Sequence, residues 1–316
     1  MWTAGRYGNR ESIRKGPSSM RVAVTGSSGL IGSALVRSLE SDGHTAIRVV
    51  RSGGGAGTVR WDIDRGELDA AGLEGLDGVV HLAGEGIAEK RWTDEQKAKI
   101  LDSRVRGTTL LATTLAGLQA KPPVLVSGSA IGVYGNRGDE PLSEASLAGT
   151  GFLAEVVLAW EAAAAPAEVA GIRVPKIRTG IVLDKDGGVL DRLVGLARFG
   201  LLGKLGSGRQ WMSWISLADE VAAIRFLLDH EVDGPVNLTA PAPATNAAFT
   251  KTLGRVLKRP TFLPVPGFGP KLLVGAELAQ ALLYDGQRVL PERLLEAGYE
   301  FRQPVLEPAL RDLLGS

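Results

Sequence analysis

The chain has 316 residues, of which 44% are hydrophobic and 22% charged, a composition typical of a globular protein with a sizeable core. Lys and Arg number 36 against 35 Asp and Glu, so the formal net charge of +1 gives no global field that would attract nucleic acid or an anionic membrane. Cysteine is absent, which excludes disulfides and cysteine metal sites, and the three histidines are too dispersed to indicate a metal site. No apolar run reaches the roughly 18 residues of a membrane-spanning helix. We therefore expect a cytoplasmic protein whose partner is a small molecule.

Short apolar runs alternate with helical patterns from Met20 onward, which is typical of a parallel sheet covered by helices. The predicted strands are Val22–Val24, Ala46–Val50, Val79–Leu82, Val124–Val126 and Ile172–Ile177. The predicted helices are Leu30–Leu39, Thr93–Ala120, Gly151–Ala170, Ala218–Leu228, Phe249–Leu257, Leu272–Leu283 and Pro291–Ala297. Past Gly180 the chain is rich in glycine and proline, which favours loops between short elements. Residues 1–19 contain no apolar segment like that of a secretion signal and are predicted to be a polar extension.

A glycine-rich turn separates the first predicted strand from the first predicted helix, in the sequence Val22-Ala-Val-Thr-Gly26-Ser-Ser-Gly29-Leu-Ile-Gly32. Glycine is required where a chain turns sharply, where backbone approaches a pyrophosphate and where a helix packs closely on a strand. The free amides at the start of the helix then bind the phosphates. The pattern could mark a structural turn alone, but its strand–turn–helix context favours dinucleotide binding. The predicted cofactor contacts are Gly26, Ser27, Ser28, Gly29, Leu30, Ile31 and Gly32.

Arg51 follows the second predicted strand, about 20 residues after the turn, where an NAD-specific site would place a carboxylate on the ribose. An arginine at this point pairs with the 2′-phosphate of NADP, so the sequence favours NADP(H) as the cofactor, with Ser52 beside the arginine. The alternative is an exposed arginine at a strand end. Asp62 is placed either to reach the adenine amino group or to close a turn.

Three segments resemble the extended short-chain dehydrogenases/reductases, the superfamily of sugar-nucleotide epimerases. These segments are the glycine turn, Val79-Val80-His81-Leu82-Ala83-Gly84 and Ser127-Gly-Ser129-Ala-Ile-Gly-Val-Tyr134-Gly135. Further motifs resemble one atypical, epimerase-like family with its own C-terminal domain, which carries an old cell-division-inhibitor label. These motifs are Arg91-Trp92-Thr93, Ser103-Arg104-Val105, Arg178-Thr179-Gly180-Ile181-Val182-Leu183, Arg209-Gln210-Trp211-Met212-Ser213-Trp214 and the run from Leu283 to Gly298.

The resemblance implies an α/β fold, a Rossmann-type doubly wound parallel sheet with a smaller, mainly C-terminal substrate-side domain. It implies an NADP-binding domain at residues 20–183, completed by parts of 212–240, and a substrate-side domain at 184–211 and 241–316. It also admits a homodimer, because extended reductases often pair through helices that flank the sheet. The cofactor contacts that it adds are Leu82, Ala83, Gly84, Ser127, Arg178, Thr179 and Gly180.

The Tyr-x-x-x-Lys pair that performs proton transfer in the superfamily is absent from the chain. Aligned on Tyr134, the expected positions carry Phe152 and Val156, which transfer no proton. We predict Ser129 and Tyr134 as the remaining catalytic groups, with Ser129 polarising the substrate oxygen and Tyr134 donating a proton. Packing under the loop is the alternative role for Tyr134. Glu155 is either a replacement base or a solvated helix residue.

Charged and aromatic side chains on the loops form the predicted substrate side of the site, because α/β sheets bind ligands at such loops. The predicted substrate contacts are Glu85, Arg91, Trp92, Arg209, Trp211 and Arg288. The tryptophans could stack on a ring or fill gaps between domains. Arg288 could bind an anionic substrate or fasten the C-terminal domain to the core. Trp160 and Glu161 are predicted to serve helix packing.

The sequence therefore predicts an NADP(H)-binding, epimerase-like oxidoreductase that acts on a small carbonyl or a nucleotide-sugar-like compound. The missing Tyr–Lys pair leaves open two other classes of protein, a non-catalytic NADPH sensor and a partner-interaction protein.

Overall fold

A computed structural model of the chain describes residues 19–55, 57–261 and 268–315. Except for Ser19, the predicted N-terminal extension lies outside the described residues. In chain order the strands are β1 (Arg21–Thr25), β2 (Thr45–Val50), β3 (Thr58–Asp62), β4 (Glu67–Leu68), β5 (Gly78–His81), β6 (Leu125–Ala130), β7 (Pro141–Leu142), β8 (Pro175–Thr179), β9 (Ile181–Asp184), β10 (Trp211–Met212), β11 (Trp214–Ser216), β12 (Gly234–Leu238), β13 (Ala244–Thr245) and β14 (Arg288–Val289).

Helices connect most strands of the main sheet, but among the described residues β2, β3, β4 and β5 follow one another with only a 3₁₀ turn between them. The helices are α1 (Leu30–Ser41), α2 (Asp94–Gly117), α3 (Phe152–Ala162), α4 (Ala165–Val169), α5 (Gly188–Arg198), α6 (Leu217–Asp229), α7 (Asn246–Leu257), α8 (Phe268–Val274), α9 (Ala276–Ala279), α10 (Glu292–Glu296) and α11 (Leu306–Leu314), with 3₁₀ turns at Ala71–Leu73 and Ile131–Tyr134 and a π-helical turn at Gln280–Tyr284. None of the described helices combines the length and the apolar character needed to cross a bilayer.

The main sheet has the strand order β12-β8-β6-β5-β1-β2-β3-β4, and all its neighbouring strands run parallel except β3 and β4. The predicted α/β class with a Rossmann-type parallel sheet is thereby confirmed. The chain adds β2 and β3 on one side of β1 and adds β5, β6 and β8 on the other. The direction of winding therefore reverses between β1 and β5. In doubly wound sheets a crevice for ligands opens at this point, beyond the carboxyl ends of the two strands.

Both faces of the central strands are buried, as their continuous apolar sequences predict. Val22 and Val24 of β1 pack in the same cluster as Leu35 of α1, whereas Ala23 packs in a second cluster with Leu111 of α2. Successive side chains of a strand point to opposite faces, so β1 contributes to a core layer on each side of the sheet. This packing fixes the end of β1, where the glycine turn begins.

The predicted helices differ from the observed ones in two places. The predicted helix Gly151–Ala170 is divided into α3 and α4, because Pro166 near the start of α4 has no N–H to donate into a continuing helix. The predicted helix Leu272–Leu283 is interrupted at Gly275, whose φ of 97° lies in the left-handed region.

The C-terminal half also contains two helices that the sequence analysis does not predict, α5 and α11. Leu190 of α5 and Leu310 of α11 are buried in a third cluster together with Trp214 and Phe249. The strand β12 nevertheless belongs to the main sheet, where it pairs with β8. The chain after residue 183 therefore supplies both a separate apolar cluster and an edge of the main sheet.

Candidate cofactor and active site

The turn after β1 depends on two glycines, Gly26 and Gly32, at which a side chain would clash with the backbone. Gly26 has a φ of 63°, and its carbonyl oxygen accepts a hydrogen bond of 3.0 Å from the amide of Gly29. A Cβ atom at Gly26 would lie 2.8 Å from the carbonyl carbon of Leu82, and one at Gly32 would lie 2.2 Å from the carbonyl oxygen of Gly26. The helix α1 begins at Leu30 with Gly29 as its N-cap and without a side-chain cap. The uncapped amides of α1 therefore face a cradle that fits the pyrophosphate of a dinucleotide.

Thr25 and His81 lock the end of β1 to the end of β5. The hydroxyl oxygen of Thr25 accepts hydrogen bonds from the amides of Leu82 at 3.1 Å and of Ala83 at 3.2 Å. It also lies 2.7 Å from Nδ1 of His81, whose Nε2 lies 3.0 Å from Oγ1 of Thr108. Burial lowers the pKa of His81 to about 4, so the imidazole is neutral at neutral pH. These bonds hold the predicted cofactor contacts Leu82 and Ala83 beside Gly26.

A cavity of about 510 Å³ lies at the β2–β3 side of the turn. It is lined by Arg51, Trp61, Asp62, Ile63, Asp64, Glu85, Lys99, Asp102, Ser103 and Arg106. Arg51 and Asp62, predicted to contact the 2′-phosphate and the adenine, are thus brought together, and Ser52 is exposed beside Arg51. Oδ1 of Asp62 accepts hydrogen bonds from the amides of Asp64 and Arg65, so this carboxylate closes a turn and faces the cavity at the same time.

A second cavity of about 250 Å³ lies against the glycine turn. It is lined by Gly26, Gly29, Leu30, Ile31, Gly32, Leu82, Gly128, Ser129, Trp160, Thr179 and Val182. The structure therefore brings the predicted catalytic residue Ser129 and the predicted cofactor contact Thr179 to the same cavity as the glycine turn. We refer to this space as the inner cavity.

Ser129 belongs to a buried hydrogen-bond network below the inner cavity. Its hydroxyl donates to Oε1 of Glu161 at 2.6 Å, and the guanidinium of Arg178 donates to both carboxylate oxygens of Glu161 at 2.8 and 3.0 Å. Arg178 also donates to the hydroxyl of Tyr134 at 3.0 Å, and that hydroxyl donates to Oδ1 of Asn237 at 2.7 Å. A bidentate arginine–carboxylate pair with all of its neighbours hydrogen-bonded is rigid. The network therefore fixes the position of the Ser129 hydroxyl.

Tyr134 lies inside this network. Its side chain is fully buried, and burial raises the pKa of its hydroxyl, although the charge of Arg178 opposes the shift. The hydroxyl contacts Asn237 and Arg178, and Tyr134 does not line the inner cavity. This arrangement agrees with the alternative role in packing, and it gives the hydroxyl no direct route to a ligand in that cavity.

Glu161 departs from its expected role in helix packing, since it is the shared acceptor of Ser129 and Arg178. Arg178 is held by its side chain in the network, so any contact with a cofactor comes from its backbone. The other candidate acid on the same helix, Glu155, is exposed, as its alternative role predicts. Phe152 packs edge-on against Trp92 at a centroid distance of 4.9 Å, and Val156 is buried.

Thr179 connects the inner cavity to a second buried carboxyl group. Its hydroxyl donates to Oε1 of Glu220 on α6 at 2.7 Å. Glu220 is fully buried, its Oε2 has no hydrogen-bond partner among the described residues, and burial raises its pKa to about 8. The residue pattern around Glu220 does not indicate a role in the site. Its position just after the start of α6 gives no signal, because the partner lies 41 residues earlier on β8.

Arg104 is another residue whose role the sequence analysis misses. Its guanidinium lies 3.2 Å from the position of a Cβ at Gly84, and it donates to the carbonyl oxygen of Glu85 at 2.9 Å. It also lies over the Trp160 ring at 5.0 Å from the centroid. Burial lowers the pKa of Arg104 to about 10, so the side chain stays charged at neutral pH. Arg104 thus fixes the loop after β5 that carries Gly84 and Glu85.

Two further predicted cofactor contacts lie on or directly after strands of the main sheet. Ser127 on β6 is buried, and its hydroxyl has no hydrogen-bond partner among the described residues. Gly180 donates its amide to the carbonyl oxygen of Leu238 at 3.0 Å, and a Cβ at this position would lie 2.5 Å from the carbonyl oxygen of Ser213. Gly180 therefore permits a close approach between β8 and the segment before β11.

The predicted substrate contacts divide into separate groups. Glu85 lines the larger cavity with Arg51. Arg91 donates to the carbonyl oxygens of Leu272 at 2.6 Å and Leu273 at 3.2 and 3.1 Å and so fastens α8. Trp92 donates its indole N–H to the carbonyl oxygen of Ile87 at 2.9 Å.

The remaining three predicted substrate contacts lie around Trp211 and Asp139. The indole of Trp211 donates to Oδ1 of Asp139 at 2.8 Å, and the exposed Arg209 lies 3.9 Å from Oδ2. The guanidinium of Arg288 stacks on Trp211 at 4.8 Å from the ring centroid. The Nε atom of Arg288 is buried without a hydrogen-bond partner among the described residues. Within the described part of the chain no group of acidic and histidine residues is arranged to hold a metal ion.

The doubly wound parallel sheet and the glycine cradle are those of a Rossmann-type dinucleotide-binding protein. Residues 22–158 match the NAD dependent epimerase/dehydratase family, and residues 265–313 match DUF1731, a domain of unknown function. The epimerase family protein Mb2239 of Mycobacterium bovis is 44% identical over 291 residues, which cover 92% of this chain and 96% of the relative. The human epimerase family protein SDR39U1 is 35% identical over 300 residues, 93% of this chain and 100% of the human protein. The chain belongs to this epimerase family, and the family predicted from the sequence is confirmed.

Solved structures show the same fold over nearly the whole chain. The crystal structure of human SDR39U1 (isoform 2) with NADPH has a TM-score of 0.87 at 33% identity and covers 94% of this chain and 100% of that one. The structure of a nucleoside-diphosphate sugar epimerase from Corynebacterium glutamicum has a TM-score of 0.77 at 37% identity, over 94% of this chain and 59% of that one.

Proposed function

We propose that the protein binds NADPH in the crevice beyond β1 and β5 and acts as an epimerase-like oxidoreductase on a small carbonyl or nucleotide-sugar-like compound. The observation that carries the proposal is the cradle of Gly26 and Gly32, which the uncapped start of α1 faces and which lines the inner cavity. The human relative with 33% identity was crystallised with NADPH, which supports the choice of cofactor. The absence of cysteine agrees with a reducing, cytoplasmic compartment.

The residues around the cradle fit the parts of a nicotinamide dinucleotide. The amides of the glycine turn hold the pyrophosphate, and Asp62 and Arg51 in the larger cavity contact the adenine and the 2′-phosphate. The inner cavity, with Leu82 and Ser129 in its lining, would hold the nicotinamide. When bound there, NADPH supplies a hydride, and the protein supplies position, charge and protection from water.

Ser129 orients the oxygen of the substrate at the inner cavity. Its hydroxyl is the polar group of the network that lines this space, and Glu161 and Arg178 hold it in place. Because the hydroxyl hydrogen is already donated to Glu161, only the lone pairs of the oxygen are available to a ligand in this arrangement. Such a hydroxyl accepts the hydrogen bond of a substrate alcohol and polarises a carbonyl only after rotation.

Arg288 and Trp211 form the substrate side of the site. The guanidinium of Arg288 stacks on an aromatic ring and retains a buried, unpaired Nε among the described residues. A buried N–H without a hydrogen-bond partner raises the free energy of the ligand-free protein. A half-buried guanidinium with such an N–H therefore favours a ligand that has an anionic group. The proposed substrate therefore has an anionic group as well as a carbonyl or alcohol.

The proposal is tested by titrating the protein with NADPH and NADH and following nicotinamide fluorescence. We expect NADPH to bind more tightly than NADH, and Arg51→Ala to weaken NADPH at least ten-fold, equivalent to about 1.4 kcal/mol, with little effect on NADH. Arg21→Ala is the matched control, because Arg21 is also exposed but lies at the amino-terminal end of β1, away from the carboxyl ends of the strands. Failure of both nucleotides to bind would refute the proposal, and an equal effect of the two variants would refute the role of Arg51.

A further inference from the structure

Glu220 is the buried acid that the proposed function leaves without a role. It is fully buried at the start of α6, and one of its carboxylate oxygens has no hydrogen-bond partner among the described residues. The other oxygen accepts the hydroxyl hydrogen of Thr179 at 2.7 Å. A carboxylate with a single hydrogen bond in such surroundings is costly to keep ionised, so the group is held as a neutral acid.

The contact with Thr179 joins this acid to the inner cavity. Thr179 lines the cavity together with Ser129 and the glycine turn. Its neighbour Arg178 points to the opposite face of β8, where it is paired with Glu161, so the two buried carboxyl groups belong to different networks. Glu220 therefore reaches the inner cavity through one hydroxyl group.

The other ionisable groups around Glu220 have partners of their own. Asp219, its neighbour on α6, accepts hydrogen bonds from the amides of Arg302 at 2.8 Å and Gln303 at 2.9 Å and lies 3.2 Å from the hydroxyl of Tyr299. The negative charge of Asp219 raises the pKa of Tyr299 in addition to the effect of burial, so that phenol stays neutral. The group free to change its charge in response to a ligand in the inner cavity is thus Glu220.

We propose that Glu220, acting through Thr179, is a proton-holding group whose charge follows the oxidation state of the nicotinamide: it keeps its proton beside NADPH and releases it when NADP⁺ binds. The inference depends on the proposed function, because it requires the nicotinamide to occupy the inner cavity. The oxidised ring is a cation and the reduced ring is neutral. A nearby cation stabilises the ionised carboxylate, and this effect is strong where water is excluded.

The proton balance of the step is simple. When NADP⁺ binds, the O–H bond of the Glu220 carboxyl group breaks as the Thr179 hydroxyl turns, accepts this proton and releases its own proton through the inner cavity to the buffer. The Thr179 hydroxyl then donates its new proton to the carboxylate, in the hydrogen bond of 2.7 Å described above. Binding of NADPH leaves the acid intact. Since reduction of a carbonyl consumes one proton beside the hydride, an acid that is neutral in the NADPH complex and ionised in the NADP⁺ complex is suited to provide it.

Isothermal titration calorimetry tests this inference without turnover. Titrations with NADP⁺ and with NADPH, each in two buffers of different ionisation enthalpy, count the protons released on binding. We expect the wild type to release more protons with NADP⁺ than with NADPH at a pH just below the pKa of Glu220 in the cofactor-free protein. The 2′-phosphate, which titrates near pH 6, is common to both nucleotides and cancels in this difference.

Three variants separate the roles of the two residues. Glu220→Gln, which mimics the protonated acid, should release equal numbers of protons with both nucleotides while still binding NADPH. Thr179→Ser keeps the hydroxyl and should keep the difference. Thr179→Val removes the hydrogen bond that favours ionisation and should reduce the difference.

The affinities give a second readout. The ratio of the NADPH to the NADP⁺ dissociation constant should rise with pH in the wild type, by about ten-fold for each unit by which the cation lowers the pKa of Glu220, and should stay constant in Glu220→Gln. Failure of both nucleotides to bind the wild type would overturn the proposed function and this inference with it. Binding of both nucleotides with equal proton release would overturn this inference alone, and so would a wild-type difference that persists in Glu220→Gln.

Discussion

The hydroxyl of Ser129 on β6 donates a hydrogen bond of 2.6 Å to Glu161 on α3, and Ser129 also lines the cavity beside the glycine turn. Glu161 in turn forms a bidentate ion pair with Arg178, and the two side chains are only 10% and 8% exposed. One carboxylate thus joins the proposed active-site hydroxyl to a buried cation. The same contact links the stability of the sheet to the geometry of the site.

Replacing this carboxylate should destabilise the fold strongly. Glu161→Gln leaves the buried guanidinium of Arg178 without a counter-charge, and removal of one partner from a buried ion pair typically costs about 3–5 kcal/mol. Urea denaturation measures the change in the free energy of unfolding. Glu155→Gln, on an exposed position of the same helix, is the control and should change it by less than about 0.5 kcal/mol. Similar values for the two variants would show that the ion pair contributes little.

Tyr134→Phe should affect stability and leave cofactor binding unchanged. The substitution removes the hydrogen bonds with Asn237 and Arg178, and unsatisfied buried groups cost about 1–3 kcal/mol each. We expect a loss in this range in urea denaturation and a dissociation constant for NADPH within about two-fold of the wild type. A loss of NADPH affinity with no loss of stability would instead indicate that the Tyr134 hydroxyl contacts the cofactor.

The central strands and the glycine turn could be predicted from the sequence because their signals are local. Apolar runs buried on both faces form β1 and β5, β-branched residues alternate in β2, and the requirement for Gly26 arises from a turn within a few residues. The helix α5 was missed although its apolar residues recur at helical spacing. The glycines that flank it favoured a loop, and the helix is stabilised by packing against Phe249 and Leu253, which lie far away in sequence.

The roles of Glu161 and Glu220 could not be predicted for a related reason. An acidic residue on a helix is usually solvated, so the type of residue alone gives no indication of burial. Glu161 meets its partner Arg178 17 residues later, on a strand, and Glu220 meets Thr179 41 residues earlier. Only the packing of α3 and α6 on the sheet brings these groups together. The sequence therefore predicted the residues of the glycine turn, but it did not predict the buried acids that form hydrogen bonds with Ser129 and Thr179.

Gly29→Asp should weaken cofactor binding without destabilising α1. Gly29 has a φ of −74° and is the N-cap of α1, a position where Asp is favoured, and a Cβ there would lie 3.4 Å from the nearest atom. The new carboxylate would occupy the site proposed for the pyrophosphate. We expect unchanged or higher thermal stability and a loss of NADPH affinity of at least ten-fold in fluorescence titrations.

Gly29→Asn is the control for this prediction, because it has nearly the same shape and capping ability but no charge. It should retain more NADPH affinity than Gly29→Asp. If both variants bind NADPH as the wild type does, the phosphates do not lie at the start of α1.

The stability of the protein should fall as the pH rises through the range set by Glu220. Burial raises the pKa of this carboxyl group from 4.5 to about 8, so between these values the folded protein holds a proton that the unfolded chain has released. The contribution of Glu220 to the free energy of unfolding is fully present below about pH 4.5. It decreases toward about pH 8 by about 1.4 kcal/mol for each pH unit. Glu220→Gln cannot ionise and lacks this dependence. Urea denaturation at about pH 5 and about pH 8 should therefore show the wild type losing stability relative to Glu220→Gln by several kcal/mol.

Other titrating groups are common to both proteins and cancel in this comparison. His81, whose pKa burial lowers to about 4, acts in the opposite direction: its stabilising effect is lost as the pH falls from 6.5 toward about 4, because the unfolded chain binds a proton first. Glu155→Gln is the matched control, since the same substitution at an exposed position should leave the pH dependence of the wild type unaltered. If the wild type and Glu220→Gln lose stability in parallel, Glu220 is ionised in the folded protein, and the hydrogen bond from Thr179 is then the interaction that compensates its burial.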